Sequence, residues 1–378
     1  MKSVLIAAYL RSPFHFAKKG ALAKVRPDEM AAQVIRGLLE RTKIDPATIE
    51  DVLMGCAMPE GEQGLNIARL TVLLAGLPIT VAGATVNRFC GSSMQGIHMA
   101  AGAIQLDAGE AFICAGVESM SRVPMTGFNP SPHPGLAKDF PGAYMSMGQT
   151  AENVARKYQV TRGDQDAFAV RSQKKAAAAQ AAGKLKQEIV PIKGKDGVVE
   201  QDGCIRADST AEVLATLPPA FDANGSVTAA SSSPLTDGAS AVLVCTEDYA
   251  KRNKLEPLAR LKSVAVAGCA PEIMGIGPVA ASKKALARAG IAVKDLDVIE
   301  LNEAFASQSI ACIRELGLDE AKINLDGGAI ALGHPLGATG ARITGKAAQI
   351  LKREGKRYAL ATQCIGGGQG IATIVERL

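Results

Sequence analysis

Short apolar runs separated by amphipathic stretches set the rhythm of this chain. Val4-Leu5-Ile6-Ala7-Ala8-Tyr9-Leu10, Val52-Leu53-Met54, Ala111-Phe112-Ile113-Cys114, Ala241-Val242-Leu243-Val244 and Asp297-Val298-Ile299-Glu300-Leu301 are too short for buried helices and read as strands. Residues 30–40 and 165–187 carry helical spacing. The second stretch, rich in Ala, Lys and Gln, reads as a solvated amphipathic helix. Strands alternating with helices predict α/β layering.

The pattern also repeats. Leu38-Leu39-Glu40, Ile44 and Ile49-Glu50-Asp51-Val52-Leu53 echo Ala285-Leu286-Ala287, Ile291 and Leu296-Asp297-Val298-Ile299. The turn at Cys90, its following helix and the strand ending Cys114-Ala115-Gly116 echo a second set: the loop at His334, the helix after Gly340 and the strand ending Cys364-Ile365-Gly366. An offset that stays near about 250 residues favours duplication over chance. The expected organisation is a first half over residues 1–253 and a second over 254–378. Residues from about 120 to 236 match neither half; they are Pro-rich, then helical, then Gly-rich, and read as a loop domain inserted into the first half.

Composition narrows the function. The 378 residues exceed one ordinary core, and 47% apolar with 21% charged suits a globular enzyme. Lys and Arg number 42 against 37 Asp and Glu, a net +5 that suits a phosphate-bearing substrate. With 4% aromatic residues and no Trp, no nucleic-acid surface is signalled. None of the eight cysteines form a C-x-x-C pair, so no metal is expected and free buried thiols are. No run approaches the ~20 apolar residues of a membrane span. The expectation is no membrane insertion and a cytoplasmic location.

The chemistry gathers at glycine-flanked positions. Cys90, in Asn87-Arg88-Phe89-Cys90-Gly91-Ser92-Ser93, reads as a strand end, a tight turn and a helix start. A thiol at a helix N-terminus is expected to have a lowered pKa and to act as a nucleophile; a buried structural cysteine is the alternative. His334, one of four histidines, sits between Gly333 and Pro335, in a rigid loop rather than on a helix face. Cys364 precedes Ile365 and three glycines. The glycine cluster from 366 to 370 lacks the βαβ context of a dinucleotide loop. Asn302-Glu303-Ala304-Phe305 follows a strand, where an Asn amide could serve an oxyanion or simply cap a helix.

These four segments, in this order, resemble the active-site motifs of the thiolases, acyl-CoA C-acyltransferases, and the resemblance spans essentially the whole chain. It implies duplicated α/β halves layered α-β-α-β-α. It also implies cleavage of 3-ketoacyl-CoA by CoA through an acyl-cysteine, in fatty-acid β-oxidation. Cys90 would be the nucleophile, His334 its base and Cys364 the acid–base for the leaving enolate. Asn302 would hold a water at one oxyanion, and the N–H groups of Cys90 and Gly366 would bind the other. Arg206, Ser233, Met147, Ala304 and Phe305 would line the CoA and acyl pocket, with CoA as substrate and no cofactor. Gly91-Ser92-Ser93-Met94-Gln95 and Ser146, where biosynthetic members have His, are similar to the degradative subgroup. Ala230, Pro234 and Pro218 depart from the family pattern near the CoA site. A biosynthetic acetoacetyl-CoA thiolase, a ketoacyl synthase-like enzyme and a non-catalytic CoA-binding protein are the alternatives. Family members are dimers or tetramers, and some join a hydratase–dehydrogenase subunit.

Overall fold

The computed structural model describes residues 2–378. Its strands, in chain order, are β1 (Val4–Arg11), β2 (His15–Phe16), β3 (Asp51–Gly55), β4 (Ala82–Val86), β5 (Ala111–Ser119) and β6 (Ile192–Gly194). They continue with β7 (Gly197–Val199), β8 (Thr236–Thr246), β9 (Ala259–Gly268), β10 (Val298–Leu301), β11 (Tyr358–Ile365) and β12 (Gln369–Glu376). One mixed sheet runs β10-β11-β12-β9-β1-β8-β5-β3-β4, with β2 paired to β8; β6 and β7 form a separate hairpin.

The duplication lies open in that order. Outward from the centre, β1-β8-β5-β3 on one side corresponds to β9-β12-β11-β10 on the other. Polarity matches as well: β3–β5 and β10–β11 are parallel, β5–β8 and β11–β12 antiparallel. The halves join where β1 and β9 pair antiparallel, Leu5 against Arg260 and Ile6 against Ala259.

Strands β1, β3, β5, β8, β10 and β11 are largely buried on both faces, alternate residues serving different cores. In β5, Ala111, Ile113, Ala115 and Val117 face the outer core beneath helices Pro27–Thr42 and Ile67–Leu74. Phe112 and Cys114 face an inner core with helices Ser92–Gln105 and Leu336–Glu354. The second half repeats this, Leu360, Ala372 and Ile374 outward and Ala359, Ala361, Ile371 and Val375 inward. The two central helices therefore lie between the halves, giving the five α-β-α-β-α layers.

Glycines let those helices begin close together. A Cβ on Gly340 would run into the Met94 backbone nitrogen, and one on Gly116 into the Gly337 carbonyl. The two helix N-termini carry the Cys90 turn and the His334 loop, so this crossing brings them together.

Residues 120–235 supply helices Met147–Lys157 and Arg162–Ala181 and the β6–β7 hairpin. The longer helix departs from the expected 165–187. A Thr161–Asp164 capping box starts it early, and it ends at Ala181, followed by a turn with Gly183 at φ +71°. It is also less solvated than its composition suggests. Phe168, Ala169 and Val170 join the outer core of the second half, and Ala176 is small enough to lie against Gly327.

A buried charge chain crosses the seam. Arg11 on β1 bonds Glu188 at 2.8 Å and Asp202 at 2.6 Å. Lys346 bonds the same Glu188 at 2.8 Å and Asp326 at 2.7 Å.

Candidate active site

Cys90 stands between the end of β4 and the helix Ser92–Gln105, after Phe89 at φ +42°. It is 8% exposed and packs with Ala57, Met120 and Leu336. The Gly366 N–H lies near enough to its sulfur to draw the thiol's pKa down, and its carbonyl accepts a hydrogen bond from Gln363 Nε2 at 2.6 Å. Burial pushes the thiol up to about 11, against the opposing pull of the Gly366 and Cys90 N–H groups. The lowered pKa expected from the helix N-terminus is not found, because desolvation of the sulfur outweighs it.

His334 lies in the loop between helices Ala329–Leu332 and Leu336–Glu354, after Gly333 at φ +107°. Its backbone N–H donates to Thr236 Oγ1 at 3.0 Å. Nδ1 is 2.6 Å from Thr339 Oγ1, and Nε2 is 3.4 Å from Asn302 Nδ2. Burial, helped by the Arg342 charge, holds the imidazole down to about 3. The resting site therefore holds a thiol and a neutral imidazole. Asn302 follows β10, fully buried, with no hydrogen-bond partner for its Oδ1 among the described residues.

Cys364, near the end of β11, is fully buried among Met147, Ala151, Val227, Met274, Ala304 and Phe305. Burial, then the neighbouring Cys90 sulfur, raises this thiol well above its ordinary range. The Ser233 N–H donates to the Ala304 carbonyl at 2.9 Å and the Ala306 N–H to the Ser231 carbonyl at 2.8 Å. The serine segment is thereby laid along the Asn302 segment. Phe305 meets Phe221 edge to face, centroids 6.0 Å apart. Met147 also borders Gly366. Of the candidates, Arg206 stands apart. It is exposed, its guanidinium 5.0 Å over the Phe16 ring, and its N–H donates to Gln173 Oε1 at 2.7 Å. A pocket of only about 20 Å³ lined by Phe168, Arg171, Lys175 and Glu303 includes neither Cys90 nor His334 in its lining.

Several site residues escaped the sequence reading. Glu118 in β5 accepts from the N–H groups of Ala57 at 2.8 Å, Met58 at 3.2 Å and Gly337 at 2.9 Å, and from Gln63 Nε2 at 2.8 Å. It ties the loop after His334 to the first half. A carboxylate at the end of an apolar strand was its visible signal. Thr236, at the start of β8, and Thr339, in the helix after His334, gave none, since a lone threonine carries no local signal of its partner.

The thiolase N-terminal domain model matches residues 4–248 and the thiolase C-terminal domain model residues 255–377. The chain is 49% identical to a 3-ketoacyl-CoA thiolase of Bacillus subtilis (strain 168) and 51% to one of Shewanella oneidensis, each over 100% of both chains. It superposes on the crystal structure of human mitochondrial 3-ketoacyl-CoA thiolase in complex with CoA with a TM-score of 0.92. That match has 38% identity and covers 100% of this chain and 98% of that one. Matched in both domains and along its whole length, the chain belongs to the thiolase family.

Proposed function

We propose that this protein cleaves 3-ketoacyl-CoA with CoA, releasing acetyl-CoA and an acyl-CoA shortened by two carbons, as in fatty-acid β-oxidation. The relatives at about half identity bear this activity in their names, and the alternatives draw no comparable support. The observation that carries the reading is Cys90 held by Gln363, the residue before Cys364, with His334 against Asn302.

The neutral imidazole of His334 takes the Cys90 proton on Nε2 as the sulfur attacks the 3-keto carbon. The bond between the second and third carbons breaks, and its electron pair leaves with acetyl-CoA as an enolate. The Cys364 thiol gives that enolate its proton. Asn302, fully buried and pointing its amide at the ring, suits a donor pair for the enolate oxygen. The Cys364 thiolate next takes the proton of incoming CoA, whose sulfur attacks the acyl-Cys90 thioester. Cys90 leaves as thiolate and recovers its proton from His334. The N–H groups of Gly366 and Cys90 suit the oxyanion of this second transfer. Two charges develop at two places, so two donor sets are needed.

Met147, Ala304 and Phe305 pack around Cys364, with Ser233 bonded to Ala304, and suit the pantetheine and acyl chain. Arg206, exposed on Phe16, suits a phosphate at the nucleotide end. We further read the chain as a homodimer joined along β4. That strand ends the sheet with one side unpaired, and the nearby Leu65 and Ile79 are 91% and 78% exposed. A cytoplasmic setting is supported by eight free cysteines. No helix among the described residues is long and apolar enough to cross a membrane.

Intact mass after incubation with acetyl-CoA tests the reading. The wild type gains one acetyl group and Cys90→Ala gains none. An unmodified wild type, or an adduct that survives in Cys90→Ala, refutes it.

A further inference from the structure

We propose that Thr339 is a positioning residue that fixes the tautomer of His334, keeping hydrogen on Nδ1 so that the Nε2 lone pair is free for the Cys90 thiol. The inference deepens the proposed function and rests on His334 acting as the base.

Thr339 is the fourth residue of helix Leu336–Glu354 and is 1% exposed. Its hydroxyl has two neighbours. Oγ1 donates to the Pro335 carbonyl at 3.1 Å, one helical turn back, and lies 2.6 Å from His334 Nδ1. A hydroxyl carries one proton. Given to Pro335, it leaves only lone pairs toward the ring, so Nδ1 must carry hydrogen and donate. The far side of the ring agrees. Nε2 faces the Asn302 Nδ2 amino group at 3.4 Å, a donor, so that nitrogen presents its lone pair. Two contacts on opposite edges of the imidazole are thus satisfied by the same tautomer.

The choice of threonine has a chemical consequence. A carboxylate on Nδ1 would favour the charged ring, whereas a hydroxyl orients it without adding charge. The base then waits neutral, and the imidazolium formed on proton transfer keeps its Nδ1 contact to Thr339. The Thr236 hydroxyl on the His334 backbone N–H fixes the main chain at the same point. Thr339 touches neither substrate nor sulfur; it acts through the ring. Its methyl group and helical position are kept by valine and its hydroxyl by serine, which separates shape from hydrogen bonding.

The experiment combines T339V and T339S with a direct view of the ring. Selectively ¹⁵N-histidine-labelled wild type, its His334 signals assigned by loss in His334→Ala, is expected to show hydrogen on Nδ1. Rapid-quench mass spectrometry of acetyl-Cys90 formation is expected to fall roughly 10²-fold in T339V, the scale of a misaligned general base. The acetyl-CoA concentration giving half-maximal rate should change little. T339S should restore the rate to within about threefold, a rescue that a purely steric role would not give. Hydrogen on Nε2 in the wild type overturns the proposal, as does a T339V acylation rate equal to wild type. Should T339V fail to fold, the wild-type spectrum and T339S still decide the matter. A wild type that is not acylated refutes the parent reading instead, and the tautomer is judged on the spectrum alone.

Discussion

Burial acts on Cys90 and His334 in the same direction: it keeps protons on sulfur and off imidazole. An ion pair would need the gain from attraction to exceed two desolvation costs, and the surroundings offer only backbone N–H groups to the sulfur and the Arg342 charge against the ring. The thiolate therefore forms when substrate arrives rather than beforehand. The sign of the pH dependence follows. A thiol held near about 11 is almost entirely protonated at neutral pH, and its thiolate fraction rises about tenfold per pH unit below that value. Alkylation of Cys90 by iodoacetamide, followed by peptide mass spectrometry, should climb by about a hundredfold from pH 7 to pH 9, tenfold for each unit. A rate flat across that interval would mean a preformed thiolate–imidazolium pair. By the same logic a ring held near about 3 contributes no acid limb to the acylation rate above about pH 5.

At the scale of elements, the site depends on two helix starts converging through strands with no side chains to spare. Gly340 touches the backbone of Met94, and the neighbouring helix begins just past Cys90. In Gly340→Ala the added methyl group meets main chain, which cannot rotate aside. The expected outcome is a loss of about 1–3 kcal/mol in unfolding free energy, with acylation of Cys90 slowed more than the stability loss alone would explain. Thermal unfolding and acetyl-adduct kinetics on the same preparation measure both; an unaltered acylation rate would show that the crossing does not set the site. These contacts mark the limit of what the pattern of residues reveals. Each apolar run from Val4 to Leu301 named above falls in a strand, Asp297 alone lying just ahead of β10, since a strand buried on both faces is mostly apolar. The echo between the Cys90 turn and the His334 loop is legible because both halves solve the same packing problem. The Glu118 tie to Gly337, the Thr339 contact to His334 and the β1–β9 seam are not legible. They pair groups whose partners are fixed by the fold, and neither residue type nor local spacing carries that information. The end of the long helix at Ala181 was hidden for the opposite reason: Lys184, Leu185, Lys186 and Gln187 favour helix, and the turn at Gly183 overrides them.

Across the whole molecule, the three parts of the chain meet at Lys346. Its ammonium sits between Glu188 of the insertion and Asp326 of the second half, and Glu188 in turn holds Arg11 of the first strand. Burial alone would raise the Glu188 carboxyl, but Lys346 and Arg11 together bring it below its ordinary range; at Asp326, Arg353 and Lys346 do the same. A depressed carboxyl contributes stability that is present above its unfolded pKa and lost as the pH falls through the folded value. Lys346→Met removes the shared cation and leaves each carboxyl one arginine against its burial, Arg11 for Glu188 and Arg353 for Asp326. The variant should lose about 3 kcal/mol at pH 7, the low end of the cost of breaking a buried ion pair. Without the ammonium both carboxyls titrate at higher pH in the folded state, so acidification neutralises them there first. The deficit relative to wild type should therefore shrink between pH 7 and pH 5. Paired thermal melts at the two pH values read this directly. A deficit that stays constant or grows on acidification would show that Lys346 holds the halves by packing of its alkyl stem rather than by charge. The His334 loop precedes the helix that carries Lys346, so the same variant tests whether this seam also sets the site: if it does, acylation of Cys90 at pH 7 falls at temperatures well below the melt.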